Sequence, residues 1–123
     1  MKYMLLIYDR EQDWNNLSEA GQGAIYGQYM KFGQEIKDNG NYIAGAQLHP
    51  IAAATSVRLR DDQQLVTDGP FAETHEQLGG YYLIEAKDLD EAITIAERVP
   101  PVKYGTIEIR PVLEIPGLPE ASS

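Results

Sequence analysis

The chain has 123 residues, 43% of them hydrophobic, which suits one compact domain whose core needs no disulfide or metal to hold it together. Cysteine is absent, so thiolate nucleophiles, disulfides, zinc fingers and cysteine-ligated iron–sulfur clusters are excluded by counting. Ten basic against nineteen acidic residues leave a net charge of −9, which repels a phosphate backbone and argues against direct nucleic-acid binding.

The first residues, MKYMLLIYDR, hold an apolar run too short for a signal segment or a membrane span, so a cytoplasmic protein without a membrane partner is expected. Lys2 to Asp9 is apolar on both alternating faces, with Tyr3, Leu5 and Ile7 against Met4, Leu6 and Tyr8. That pattern predicts a central strand covered on both sides. Asp9 to Leu17 is polar and reads as a loop. From Ser18 to Asn39, Ile25, Tyr29, Phe32 and Ile36 form one stripe of an amphipathic helix, which Asn39-Gly40 ends.

Tyr42 to Leu48 reads as a strand broken by His49-Pro50. Thr55 to Arg60 alternates Val57 and Leu59 with Ser56, Arg58 and Arg60, and Leu65 to Thr67 returns after the polar turn Asp61 to Gln64, giving a hairpin. Gly80 to Ala86 is a second strand apolar on both faces. Asp88-Leu89-Asp90-Glu91 reads as a capping box, followed by a helix with the predicted buried stripe Leu89, Ala92, Ile93, Ala96 and Val99, stopped by Pro100-Pro101. Thr106 to Val112 is the last strand, with Ile107 and Ile109 on one face and Thr106, Glu108 and Arg110 on the other. Residues 1–115 form the predicted single domain, and 116–123 a loose C-terminal tail.

The order is βαβ, an inserted β-hairpin, then βαβ: an α+β chain of the ferredoxin-like βαββαβ kind, whose first and third main strands lie at the centre of the sheet. Those are the two doubly apolar strands. The helices can cover only one face, so the other is expected to meet the sheet of a second copy in a homodimer. The pocket is then expected between sheet and hairpin or between the two sheets.

The stretch TDGPFAETHEQLGGYYLIEA, Thr67 to Ala86, closely resembles the signature of DGPF-domain proteins within the YCII-related family. The start MKYMLLIYD, the segment TSVRLRDDQQLVTDGPF and the end GTIEIRPV resemble that family's other recurring pieces, so the likeness spans nearly the whole chain. It implies a dimeric α+β barrel of ferredoxin-like halves in a bacterial cytoplasm, a largely uncharacterised function, and an association with extracytoplasmic-function sigma factors. The wider group is often assigned a His-Asp dyad with the histidine on the first long helix. Asp38 could fill the acid position, but the Ser18–Asn39 helix has no histidine, so the dyad does not transfer.

In the signature, Asp68-Gly69-Pro70 is good turn chemistry, with Phe71 as a core plug. Alternatively Asp68 projects into a pocket as a carboxylate base, with Phe71 against the ligand. Glu73 and His75, two apart, could share one side of an extended loop and work as an acid–base pair, or form a solvated loop. Gly79-Gly80 reads as a bulge or a close packing point. Arg58 and Arg110, on the faces opposite the Val/Leu and Ile sides, could hold a small anionic ligand by their planar forks or form ion pairs between subunits. Tyr82 is a core or ligand-facing aromatic.

No histidine spacing suits a metal, and no phosphate loop, dinucleotide fingerprint or serine-hydrolase elbow is present, so neither metal nor cofactor is expected. Two functions remain. One is a cofactor-independent lyase, isomerase or hydrolase with Asp68 as base, His75 or Glu73 assisting and an arginine holding an anion. The other is a non-catalytic dimeric accessory protein serving sigma-factor regulation.

Overall fold

The computed structural model describes residues 1–119. Strand β1 (Lys2–Asp9) is followed by a one-turn helix α1 (Glu11–Asn15), the long helix α2 (Glu19–Asp38) and strand β2 (Tyr42–Gln47). A short 3-10 turn (Ile51–Ala53) leads into β3 (Thr55–Arg60) and β4 (Gln63–Asp68). Strand β5 (Gln77–Glu85), helix α3 (Leu89–Ala96), a second 3-10 turn (Pro100–Lys103) and β6 (Thr106–Pro111) complete the chain.

Four strands form an antiparallel sheet in the order β2-β5-β1-β6, the ferredoxin-like arrangement. The two doubly apolar strands are central, because only a central strand has neighbours and covering layers enough to shield both of its faces. Tyr3, Leu5 and Ile7 of β1 and Ile84 of β5 point to the helical side, where Phe32 and Ile36 of α2 and Ala92, Ile95 and Ala96 of α3, with Val99 just beyond, close the core. Each large side chain buried there contributes about 1.5–3 kcal/mol. Residue Met4 pairs with Leu83 and Arg110, and Leu6 with Tyr81 and Glu108, so these residues share the opposite, helix-free face.

Capping chemistry sets the helix starts. Ser18 Oγ accepts the Gly21 N–H at 3.1 Å ahead of α2, and Asp88 Oδ1 accepts the Glu91 N–H at 2.9 Å ahead of α3. Glu91 reaches back to accept the Lys87 N–H at 3.1 Å, one residue before the cap.

Three expectations are corrected. The segment from Asp9 to Leu17 is not all loop, since it contains α1. Of the expected stripe, Ala92, Ala96 and Val99 are buried, but Ile95 joins them while Leu89 and Ile93 face outward, because the packed face of α3 is centred on the Ile95 side of Ala92 and Ala96. The hairpin turn is shorter than expected: Asp61 and Asp62, both at positive φ, make a two-residue turn that matches the twist of the flanking strands.

The β3–β4 hairpin is a separate two-stranded sheet. Val57 pairs with Val66, Leu59 with Gln64 and Thr55 with Asp68 on one face, and Ser56 with Thr67, Arg58 with Leu65 and Arg60 with Gln63 on the other. Val57 and Leu59 are 61% and 62% exposed, so this arm packs on little of its own chain. Among the described residues no helix is long and apolar enough to cross a membrane. Of the expected tail, Pro116 to Pro119 is exposed, and 120–123 lie outside the described residues.

Candidate functional site

A cavity of about 620 Å³ opens on the helical side of the sheet, between α2, α1 and the β1, β2 and β5 strands. Its origin is a pair of missing side chains. Gly45, opposite Tyr82, and Gly80, opposite Gln47, line it, so nothing projects from these floor positions to meet α2. A Cβ at Gly45 would sit 2.7 Å from the Tyr82 ring, and one at Gly80 would sit 2.8 Å from the Ala46 carbonyl oxygen. The Tyr82 ring excludes a side chain at Gly45 and the β2 backbone excludes one at Gly80, so neither position sends a side chain into the cavity.

Helix α2 serves two purposes along one stripe. Towards its C-terminus it buries Phe32 and Ile36, while Ile25 and Tyr29, one to two turns earlier, line the cavity with Tyr26. Tyr82 lines it from the sheet, held edge-on to Phe32 at 5.2 Å and to Tyr42 at 6.4 Å. Helix α1 forms a further wall through Trp14, whose ring meets Tyr26 edge-on at 5.1 Å. Three bonds fix α1 in place. The Glu11 N–H donates to Gln77 Oε1 at 3.0 Å, the Glu11 carboxylate accepts the Ile51 N–H at 2.9 Å, and Gln22 Nε2 donates to the Trp14 carbonyl at 3.1 Å.

Asp9 ends β1 inside this cavity, half-buried. Among the described residues its carboxylate receives no hydrogen bond. Burial pushes its pKa up from the usual carboxylate value, and the nearby carboxylates of Glu76, Asp13 and Glu11 push it further. Burial likewise holds the Tyr29 hydroxyl far above the usual tyrosine range, with the Asp9 charge the next cause. Tyr104 is raised by burial and then by Asp9 and Asp13, and Tyr82 by burial and then by Tyr42. The site thus combines one unpartnered carboxylate with several neutral phenols and an indole. Such a carboxylate can take or give a proton nearer neutral pH than an ordinary aspartate.

Of the candidate site residues expected from the sequence, Tyr82 lies in the cavity, as do Gly79 and Gly80, whereas Asp68, Arg58, Arg110, Glu73, His75 and Phe71 lie elsewhere. Asp68, at the end of β4, is exposed on the Val57–Val66 face of the arm, while Arg58 is exposed on the arm's other face, so within the chain the two do not converge. Arg110 is exposed on the helix-free face of the main sheet beside Met4. Glu73 and His75 are exposed in the loop before β5. Phe71 is 78% exposed and is no core plug, because the loop it occupies leads away from the core. The turn chemistry itself is present: Gly69 has φ +96, its N–H donates to the Ala54 carbonyl at 2.7 Å, and Ser56 Oγ donates to its carbonyl at 2.8 Å. The pocket lies on the helical side rather than between sheet and hairpin. Asp9, Trp14, Tyr29 and Tyr104 carry this site, and the signal for it was an acid closing a doubly apolar strand, followed by a lone tryptophan in a polar segment.

Among the described residues no cluster of three or more His, Cys, Asp or Glu side chains is arranged to hold a metal ion. The sequence pattern of the YCII-related domain matches residues 1–116. An uncharacterized protein of Rhizobium meliloti (strain 1021) is 32% identical over 114 residues, which cover 91% of this chain and 92% of the relative.

Proposed function

The chain belongs to the YCII-related domain family, and on that premise we propose that it is a cytoplasmic, dimeric protein that binds a small metabolite in the helix-side cavity and uses Asp9 for cofactor-independent proton transfer. The observation that carries this reading is the Asp9 carboxylate, half-buried and unpartnered in a cavity of about 620 Å³. That volume is within the usual range for small-molecule sites, roughly 300–1,000 Å³. A carboxylate whose pKa is raised by burial is a stronger base than an ordinary aspartate when ionised, which suits abstraction or delivery of a proton on a bound substrate.

The homodimer is supported by two unpartnered apolar surfaces. Met4 and Leu6 stand part-exposed on the face that no helix covers, and the arm exposes Val57, Leu59 and Val66. Burying both against a second copy removes them from water without requiring any other partner. Arg58, Arg110, Asp68, Glu73, His75 and Phe71 then belong to the contact between subunits or to a cleft beside it. Any preference for a small anion would reside there, with the arginines, and not in the acidic helix-side cavity.

A thermal-shift screen of metabolites with wild-type protein, Asp9→Asn and Trp14→Leu tests the reading. A ligand that stabilises wild type and loses its effect in Trp14→Leu supports the cavity as the site. Turnover lost in Asp9→Asn at ligand concentrations that still saturate the variant supports the proton-transfer role. Ligands that stabilise all three proteins equally would sink both. A second reading, a non-catalytic accessory protein associated with an extracytoplasmic-function sigma factor, draws on the exposed arm, which offers an apolar surface to another protein. Substitutions in the arm, and none in the cavity, would then abolish that association.

A further inference from the structure

Resting on the reading of the helix-side cavity as the ligand site, we infer that its occupant is a small organic cation, an amine or quaternary ammonium group carried on an apolar body. The chemistry of the lining separates three kinds of guest. Asp9 offers a carboxylate with no protein partner among the described residues, and the Glu11 carboxylate on the same wall is already occupied by the Ile51 N–H. Among the lining residues Lys37 is the only lysine or arginine, and its ammonium sits over the Tyr42 ring, 4.9 Å from the centroid. An anion would therefore meet an uncompensated carboxylate in a protein that already carries a net charge of −9. A neutral guest would displace water from Asp9 and at best return one hydrogen bond, with no counter-charge. An ammonium group does the opposite, since it supplies the missing counter-charge as Asp9 loses water.

The rest of the lining suits the same guest. Trp14, Tyr26, Tyr29, Tyr82 and Tyr104 give an aromatic surround, which attracts a cation through the ring quadrupoles and accepts an apolar body against the same rings. Asp13 of α1 and Glu76 of the segment before β5 add to the negative charge at this end, and both push the Asp9 pKa upward after burial. Bringing so many acids around a half-buried carboxylate costs stability, and a bound cation offsets that cost.

The test uses three matched probes on the full chain: 2-phenylethylamine, 2-phenylethanol and 3-phenylpropanoate. Trp14 is the only tryptophan, so its indole N–H resonance reports occupancy directly. The ammonium probe should shift that resonance and bind on the order of tenfold tighter than the alcohol, with the carboxylate weaker still. Asp9→Asn, nearly isosteric, should reduce the amine to the level of the alcohol. Should that variant misfold, added salt gives an independent readout on wild type, weakening the amine and leaving the alcohol unchanged. Equal or tighter binding of the alcohol or carboxylate, or silence of the Trp14 signal toward the amine, overturns the cation preference. A Trp14 response to the alcohol that Asp9→Asn leaves intact would remove the preference while retaining the cavity as a ligand site. Silence toward these probes and throughout the metabolite screen would remove both.

Discussion

A Cβ placed on Gly79 would lie 3.6 Å from Asp9 Oδ1, so the bulge residue of β5 rests against the carboxylate that ends β1. The ladder pairs Ile7 with Gly80 but Tyr8 with Leu78, which leaves Gly79 as the extra residue. That insertion resets the register so that Gln77 stands opposite Asp9, and from there its side chain accepts the N–H of Glu11. Acid, bulge and α1 are therefore one positioned unit.

Asp9→Asn should stabilise the protein at neutral pH and leave it unchanged in acid. The folded-state pKa of Asp9 is raised above the ordinary aspartate value, first by burial and then by Glu76, Asp13 and Glu11. Tyr29 and Tyr104 also feel its charge. With that sign, stability is fully present while the group is protonated in both states and is lost as pH rises through the raised value. Urea unfolding at about pH 3 and about pH 7 checks the prediction, with the variant's midpoint higher only at the second. A lower midpoint at neutral pH would mean that the carboxylate has a stabilising partner.

Leu6→Glu should split the proposed dimer without unfolding the chain. Leu6 lies on the helix-free face, opposite Tyr81 and Glu108 and away from the helical core. A carboxylate forced into a dry interface there costs about 3 kcal/mol, or roughly two powers of ten in dissociation constant. Sedimentation velocity should show wild type as a dimer and the variant as a folded monomer at micromolar concentration. A monomeric wild type would refute the dimer.

Gly80→Ala should weaken the edge strand. Its Cβ would meet the Ala46 carbonyl oxygen at 2.8 Å, and that atom is backbone, so the β2–β5 pairing must yield. Overpacking of this kind costs about 1–3 kcal/mol. The loss should be visible as a lower urea midpoint and as faster amide exchange at Leu48, whose N–H donates to the Gly79 carbonyl at 2.9 Å.

Asp68→Asn should change stability by less than about 0.5 kcal/mol, because the carboxylate is exposed and the turn is held by the Gly69 N–H on the Ala54 carbonyl and by Ser56 Oγ on the Gly69 carbonyl. Amine binding at the cavity should also be unaffected. A fall in dimer affinity would place Asp68 across the subunit contact, and a fall in amine affinity would contradict the site described here.

The sheet order was readable from hydropathy because β1 and β5 are apolar on both faces, and only central strands can afford that. The cavity was not. Along α2, Ile25, Tyr29, Phe32 and Ile36 form one uninterrupted stripe, and periodicity reports which face turns inward without reporting whether it meets side chains or empty space. Two glycines on different strands, Gly45 and Gly80, decide that, and their juxtaposition is a tertiary fact. The same limit explains the attention drawn by Asp68: a dense local motif is visible in sequence, whereas Asp9 becomes notable only once Trp14, Tyr29 and Tyr104 gather around it. Helix α1 escaped because one turn of polar residues has no period to detect.

The Glu11 carboxylate holds the Ile51 N–H at the start of the turn that leads straight into β3. One side chain thus joins the rim of the cavity to the root of the arm. If the arm clasps a second copy, filling the cavity and pairing the chains draw on the same hinge. Thermodynamic reciprocity then requires that whatever factor the guest adds to subunit affinity, the partner returns to guest affinity. The chain's response to its ligand would depend on its own concentration, and Glu11→Gln would loosen that dependence while leaving Asp9 in place.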